Sequence, residues 1–330
     1  MREQTLPAPR HLLQDFFSVQ VREVQREADG VVSVLLGPLD SATLPRWSPG
    51  AHIDVLLPND MLRQYSLISD PDDQDAWRIA VLLDSEGRGG SKYIHTALKV
   101  GDSLEARGPR NHFLRGSSEG PTQFIAGGIG ITPLLSMVRE AAQNGADWNL
   151  LYLGSDRNSM PFLSELLKYG DRVRVHSKSE HGAMNLTAFI QDPGPPSVAS
   201  TYACGPHRML TELGNLFRND AHGEYYRELF DAAGSPVAGV EDSLPFVVET
   251  SDGSEVEVAA DETIIDALDR VGIRTLSSCR KGTCGTCETE IIDGLADHRD
   301  AVLSDEERAA GETMMICVSR CVGDRLVLDL

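Results

Sequence analysis

The chain has 330 residues, more than one hydrophobic core usually organises, so two or three domains are expected. Its hydrophobic fraction of 41% and charged fraction of 24% are ordinary for a soluble globular protein, and a formal net charge of −20 argues against nucleic acid as the main partner. No apolar run approaches the roughly 18 residues of a membrane span, and residues 1–7 lack the apolar stretch of a signal peptide; a cytoplasmic protein with no membrane partner is expected.

Taken in order, Ser18-Val19-Gln20-Val21 and Val31-Val32-Ser33-Val34-Leu35-Leu36 read as a β-branched strand pair around Gly30. The turn Trp47-Ser48-Pro49-Gly50 leads into the alternating strand His52-Ile53-Asp54-Val55, and short strands follow at 65–68 and 77–83. This spacing predicts a small antiparallel barrel over residues 1–112. Arg63-Gln64-Tyr65-Ser66 groups a cation, an aromatic ring and a hydroxyl on one strand. Arg88-Gly89-Gly90-Ser91 opens a helix over 92–98, and the free N–H groups of a helix start can meet an anion. Alone, each stretch is equally an ordinary strand or turn.

Residues 123–135 read as strand, glycine turn and helix, with Thr132 as N-cap, Pro133 at the first helical position and Gly145 at the stop. Gly128-Ile129-Gly130-Ile131-Thr132-Pro133 is a G-x-G-x-x-P variant of the dinucleotide turn, in which glycines let the backbone approach a pyrophosphate. A strand at 149–154, a helix at 160–169, and strands at 173–176 and 200–204 continue the alternation. It predicts a doubly wound parallel α/β domain over residues 113–230. Ligands bind beyond the carboxyl ends of such strands. The turn at Gly128, the pair Ser155 and Asp156, and the run Cys204-Gly205-Pro206 all fall at those ends.

Residues 231–243 are small, polar and broken by Pro and Gly, the composition of a linker. The C-terminal part, 244–330, opens with a hairpin of Phe246-Val247-Val248-Glu249-Thr250 and Glu255-Val256-Glu257-Val258, followed by a helix at 263–271. Cys279, Cys284 and Cys287 then follow in C-x4-C-x2-C spacing, answered by Cys317. That is the plant-type spacing of a [2Fe-2S] centre, held by soft thiolates on a loop that Gly282 and Gly285 allow to turn tightly. The alternative is a structural zinc site in a nucleotide-binding scaffold protein. Zinc modules usually pair two C-x2-C units, whereas the second half here is one cysteine.

Over nearly its full length and in the same order, the chain resembles the phthalate dioxygenase reductase family, within the ferredoxin-NADP reductase superfamily. The resemblance is carried by Arg63-Gln64-Tyr65-Ser66, Arg88-Gly89-Gly90-Ser91, Gly108-Pro109-Arg110-Asn111, residues 127–133, Cys204-Gly205-Pro206, the four cysteines, Asp297-His298-Arg299-Asp300 and residues 326–330. It implies an antiparallel FMN-binding barrel, an NAD-binding α/β domain and a C-terminal ferredoxin domain of β-grasp type. It also implies a reductase that passes electrons from NADH to a Rieske-type aromatic-ring oxygenase or O-demethylase. By the same resemblance Arg63, Gln64, Tyr65 and Ser66 hold the flavin, Gly89, Gly90 and Ser91 its phosphate, and the Ala80, Val81 and Leu82 backbone its ring. Thr132 approaches the flavin, Pro133 after it belongs to the same cofactor-binding run, Gly128, Ile129 and Gly130 face the dinucleotide, and Cys204, Gly205 and Pro206 border the nicotinamide. Glu228 and Phe230 close the flavin edge, where Tyr225-Tyr226-Arg227-Glu228-Leu229-Phe230 replaces the family's frequent His-Phe-Glu run.

NADH gives two electrons and a [2Fe-2S] cluster takes one at a time, so a flavin between them supplies the exchange. No acid–base dyad is then required. Cys204 reads as a packing residue rather than a nucleophile, and Cys321 as a small core thiol. Asp156, near the expected ribose, favours NADH over NADPH, with the neighbouring Arg157 pulling the other way. A diiron hydroxylase or a separate ferredoxin is the alternative electron acceptor.

Overall fold

The computed structural model describes residues 16–39, 43–58, 61–87, 89–116, 120–191, 198–218, 223–230 and 244–330. Arg88 and the linker expected at 231–243 lie outside the described residues. The described residues fall into two compact units, one within 16–58 and 64–230, the other made of 61–63 and 244–330. Among the described residues no helix is long and apolar enough to cross a membrane.

The first sheet comprises β1 (Phe17–Ala28), β2 (Val31–Pro38), β3 (His52–Leu56), β4 (Leu62–Ser66), β5 (Trp77–Leu82) and β6 (Ser103–Arg110), in the order β4-β3-β6-β1-β2-β5. Its inner face is built from alternating residues such as Val19, Val21, Val34 and Leu36, all fully buried. Asp54 on β3 is buried between Arg107 and Arg110 of β6, at 2.6 and 2.8 Å. Burial raises its pKa, but the two guanidiniums outweigh that and hold the carboxyl below its ordinary range. The edge strands β4 and β5 close the sheet at a bridge between Leu67 and Ile79. Among the described residues no ladder continues past it, so a seam stays open between 64–66 and 80–82. The short helix α1 (Gly90–Thr96) follows β5.

The second sheet is parallel: β7 (Thr122–Gly127), β8 (Trp148–Gly154), β9 (Val173–Ser177), β10 (Ser200–Cys204) and β11 (Glu224–Glu228), in the order β11-β10-β7-β8-β9. On one face α2 (Ile131–Gln143) buries Leu134, Leu135 and Val138 against Phe124, Leu150, Tyr152 and Tyr202. The barrel residues Val31, Ile68, Ala80 and Phe113 share that core. After β8 come α3 (Leu163–Leu166), α4 (Lys178–His181), α5 (Leu186–Gln191) and α6 (His207–Phe217), and Leu186, Leu210 and Leu213 cover the opposite face. The sheet is thus covered on both sides, as the strand–helix alternation predicts.

Two local expectations are corrected. The helix expected at 160–169 is reduced to the four-residue α3, because Phe162 (φ 61°) takes a left-handed conformation near its start and the backbone passes into a 3-10 turn from Leu167. Thr132 is not the N-cap of α2. The helix begins at Ile131, and the Thr132 hydroxyl donates back to the Ile129 carbonyl at 2.9 Å, which moves Pro133 to the third helical position. The expected stop at Gly145 holds: with φ 63°, it leaves Ala146 N–H to reach the Ala141 carbonyl at 3.0 Å.

In the C-terminal unit, β12 (Phe246–Thr250), β13 (Glu255–Val258), β14 (Glu288–Asp293), β16 (Thr313–Met315) and β18 (Arg325–Leu328) form a mixed sheet, β13-β12-β18-β14-β16. The pair β15 (Ala296–Asp297) and β17 (Arg320–Cys321) stands apart. Helix α7 (Ile264–Arg270), capped by the Thr263 hydroxyl, lays Ile264, Ile265, Ala267 and Leu268 on the sheet. Helix α8 (Asp305–Ala310) starts with a reciprocal capping box of Ser304 and Glu307.

Candidate electron-transfer sites

The cysteine loop leaves α7 and returns as β14. Cys287 and Cys317 are buried, Cys279 and Cys284 half-buried. Cys279 shares hydrogen bonds with Cys284 and Cys317, and Cys317 with Cys287. That sharing draws the Cys279 thiol below its ordinary range and pushes Cys284 and Cys317 above it. Backbone donors already point at sulfur: Lys281 N–H meets Cys279 Sγ at 3.3 Å and Cys279 N–H meets Cys284 Sγ at 3.5 Å. Such donors suit a sulfur that carries negative charge. Glycine is required at 282, where φ is +67° and an added Cβ would stand 2.6 Å from Val318 Cγ2. Arg280, itself left-handed at φ 55°, ties the loop to α7 through Asp266 (2.9 Å) and Asp269 (2.8 Å). The four-thiol donor set and its sulfur-directed N–H groups fit a [2Fe-2S] cluster. Cys321 stands outside this set; its Sγ accepts from Gly323 N–H at 3.2 Å in a local turn.

At the barrel seam, Arg63, Gln64 and Tyr65 are half-buried on β4, and Ser66 is buried with an Oγ that finds no hydrogen-bond partner among the described residues. A buried hydroxyl without a partner is costly and asks for a ligand group. Across the seam lie Ala80, Val81 and Leu82. The Val81 carbonyl already meets His95 Nε2 at 2.9 Å, a contact that sequence reading did not foresee. Gly89 (φ 96°) caps α1, so the first-turn N–H groups of Gly90 and Ser91 lack intrahelical partners. The Ser91 hydroxyl accepts from Asp84 N–H at 3.0 Å.

In the parallel sheet the strand order reverses between β7 and β10, which makes their carboxyl ends the place where such sheets bind ligands. Gly128, Ile129 and Gly130 follow β7, and Cys204, Gly205 and Pro206 follow β10. The two turns are pressed together: a Cβ on Gly130 would stand 2.3 Å from the Cys204 carbonyl oxygen, and one on Gly127 2.6 Å from Pro206 Cδ. Beside them Glu228, paired in register with Cys204, ends β11 with an Oε2 that is shut from solvent and without a partner among the described residues. Burial pushes its carboxyl up to about 8, and burial followed by the nearby Glu228 carboxyl pushes the Cys204 thiol well above its ordinary range. A thiol so disfavoured as thiolate is no nucleophile, in line with the packing role expected for it. Phe230 is exposed two residues on.

Beyond β8, Ser155 is exposed, and its carbonyl accepts from Ser179 N–H. Asp156 accepts from Asn158 N–H and from the Ser179 hydroxyl, both at 2.9 Å. These bonds hold its carboxyl below the ordinary range. Arg157 turns to Glu180, Nε to Oε2 3.0 Å.

Two parts of the chain match known protein families. Residues 20–114 match the oxidoreductase FAD-binding domain and residues 248–322 the 2Fe-2S iron-sulfur cluster binding domain. The chain is 40% identical over 314 residues to phenoxybenzoate dioxygenase subunit beta of Ectopseudomonas oleovorans, covering 95% of this chain and 97% of that one. The structure of phthalate dioxygenase reductase, described as modular for electron transfer from pyridine nucleotides to [2Fe-2S], superposes with TM-score 0.68 at 34% identity over 96% of this chain and 98% of that one. An intact type IV self-sufficient cytochrome P450 monooxygenase matches with TM-score 0.86 and 38% identity; all of this chain is covered, but it spans 43% of that longer protein. The fold and sites define a flavin and iron–sulfur oxidoreductase. The chain belongs to the phthalate dioxygenase reductase family, whose electrons come from a pyridine nucleotide.

Proposed function

We propose that this chain is the reductase of a Rieske-type aromatic-ring oxygenase or O-demethylase, taking electrons from NADH through FMN to the [2Fe-2S] cluster and on to the oxygenase. The reading is carried by the presence, on one chain, of an open barrel seam with a Ser66 hydroxyl that has no partner among the described residues, a glycine-lined crevice at the strand-order reversal, and the four-thiol loop. The flavin, when bound, exchanges the two-electron chemistry of NADH for the one-electron chemistry of the cluster. Arg63, Gln64, Tyr65 and Ser66 would hold it from β4, and the Ala80, Val81 and Leu82 backbone would line its ring. Gly89, Gly90 and Ser91 would take the phosphate at the start of α1; a turn this short suits one phosphate, hence FMN.

Thr132 and Pro133 begin the wall between flavin and dinucleotide, while Gly128, Ile129 and Gly130 leave room for the dinucleotide backbone. Cys204, Gly205 and Pro206 would border the nicotinamide, and Glu228 and Phe230 would close the flavin edge beside it. With Glu228 and Cys204 both protonated at neutral pH, the crevice carries no counter-charge for the cationic oxidised ring, which favours its release. We place the domain boundaries at 112, 230 and 243, and the protein in the reducing cytoplasm, which suits the two thiols outside the cluster set, Cys204 and Cys321.

Reconstitution tests the proposal: heat-released flavin is identified by mass, and NADH-driven turnover is measured with a Rieske oxygenase, a diiron hydroxylase, a separate ferredoxin or a haem oxygenase. FMN and turnover with the Rieske partner are expected. A second reading, a haem partner, is favoured by the similarity to the P450 protein, and turnover confined to that partner would replace the first.

NADH should be preferred over NADPH. Asp156 keeps its charge through Asn158 and Ser179, whereas the Arg157 charge is engaged by Glu180. Asp156→Ala should narrow the kcat/KM ratio of NADH to NADPH by roughly tenfold, as expected for removing one surface charge near a 2′-phosphate. An unchanged ratio would remove Asp156 from the ribose site.

A further inference from the structure

We infer that Asp300 is the positioning residue that locks the two arms of the cluster site together. The three-cysteine loop and the Cys317 turn are thirty residues apart in sequence, and a binuclear centre needs both held in one register. Asp300 touches each. Its Oδ2 accepts from Val302 N–H at 3.0 Å and Leu303 N–H at 2.9 Å, which folds residues 300–303 into a fixed turn. From that turn Ala301 N–H donates to the Gly282 carbonyl at 2.8 Å, in the middle of the cysteine loop. The Asp300 Cα also fills the space that a Cβ on Gly282 would need, at 3.1 Å. On the other arm, the Ser319 hydroxyl, two residues past Cys317, donates to Asp300 Oδ1 at 3.5 Å and accepts from Arg299 N–H at 3.2 Å.

The Asp300 side chain is fully buried. Two basic groups face it, His298 Nδ1 at 3.9 Å from Oδ1 and Arg308 Nη2 at 3.9 Å from Oδ2, and Arg308 also donates to the Asp300 carbonyl at 2.7 Å. The buried carboxylate thus ties directly to the Cys317 arm through Ser319, and it fixes the turn whose Ala301 N–H holds the cysteine loop at Gly282. Residues that orient ligands from behind are worth about 10- to 100-fold in metal affinity.

The inference rests on Cys279, Cys284, Cys287 and Cys317 being the ligands, so the test carries Cys317→Ser as a separate arm. In the full-length protein, iron release to a chelator and the g-values of the reduced cluster are measured for Asp300→Ala, Asp300→Asn and Ser319→Ala. Asp300→Ala should release iron about tenfold faster or be isolated with the cluster depleted and its flavin retained. Asp300→Asn, whose amide oxygen can still accept from Val302 and Leu303, should restore most of the wild-type behaviour. Ser319→Ala, which removes only the tie to the Cys317 arm, should fold and shift the g-values. Wild-type iron release and g-values in both Asp300→Ala and Ser319→Ala would overturn the inference. Retention of the native cluster in Cys317→Ser would instead overturn the ligand assignment beneath it.

Discussion

Cys317→Ser should yield a flavoprotein that has lost its [2Fe-2S] cluster, whereas Cys321→Ser should keep iron and visible spectrum intact. The two cysteines are four residues apart, yet the structure separates their roles. Cys317 is buried and shares hydrogen bonds with Cys279 and Cys287, whereas Cys321 Sγ is engaged by Gly323 N–H in a turn. Metal binding is coupled to the folding of small metallo-domains, so Cys317→Ser should also lower the unfolding temperature of the C-terminal unit. Iron analysis and the visible spectrum check the first part, calorimetry the second. A cluster lost in Cys321→Ser and kept in Cys317→Ser would mean that the fourth ligand has been misassigned.

Glu228 should make product binding depend on pH. Burial lifts its carboxyl to about 8, so the side chain is neutral at pH 6 and ionised at pH 9. An anion appearing beside the nicotinamide crevice should tighten oxidised NAD roughly tenfold across that interval, the size of a single charge interaction in a partly screened site. Glu228→Gln should show no such change. The stability sign is independent of the ligand. A folded-state pKa above the unfolded one means the native state binds the proton more tightly, so stability falls as pH rises from the ordinary carboxyl range to about 8. Glu228→Gln should therefore match the wild type near pH 4 and unfold at a higher temperature than it above pH 8. Product-inhibition constants and melting curves at both pH values decide the matter; a wild type as flat as the variant would remove Glu228 from the crevice.

What could be read from the sequence follows from how local each signal is. The cysteine spacing, the hairpin from Phe246 to Val258 and the strand–helix alternation after Thr122 are set by residues close in the chain, and all three recur in the structure. Strand β6, Ser103–Arg110, was invisible because Gly108 and Pro109 break its pattern, and it is held by pairing with β1 and β3 far away in sequence. The helix expected at 160–169 looked plausible by composition, but the left-handed Phe162 is a tertiary outcome that propensity does not encode. At the site, the glycines could be named beforehand. Their reason, two turns crowded to 2.3 Å at the Gly130 Cβ position, appears only when β7 and β10 lie side by side. Asp300 belongs to this second kind. Its run Asp297-His298-Arg299-Asp300 could be named, but its carboxylate meets Ser319 while the turn it fixes meets Gly282 through the Ala301 N–H, and only the folded chain brings these together.

Electron flow from NADH through flavin to the cluster on one chain is tested most directly by anaerobic titration with NADH, followed in the visible spectrum. The expected result is uptake of three electrons per chain, two by the flavin and one by the cluster, with both sets of absorption bands bleaching and the cluster share lost in Cys317→Ser. Flavin bleaching that leaves the iron–sulfur bands of the wild type untouched, or uptake of only two electrons per chain, would contradict it.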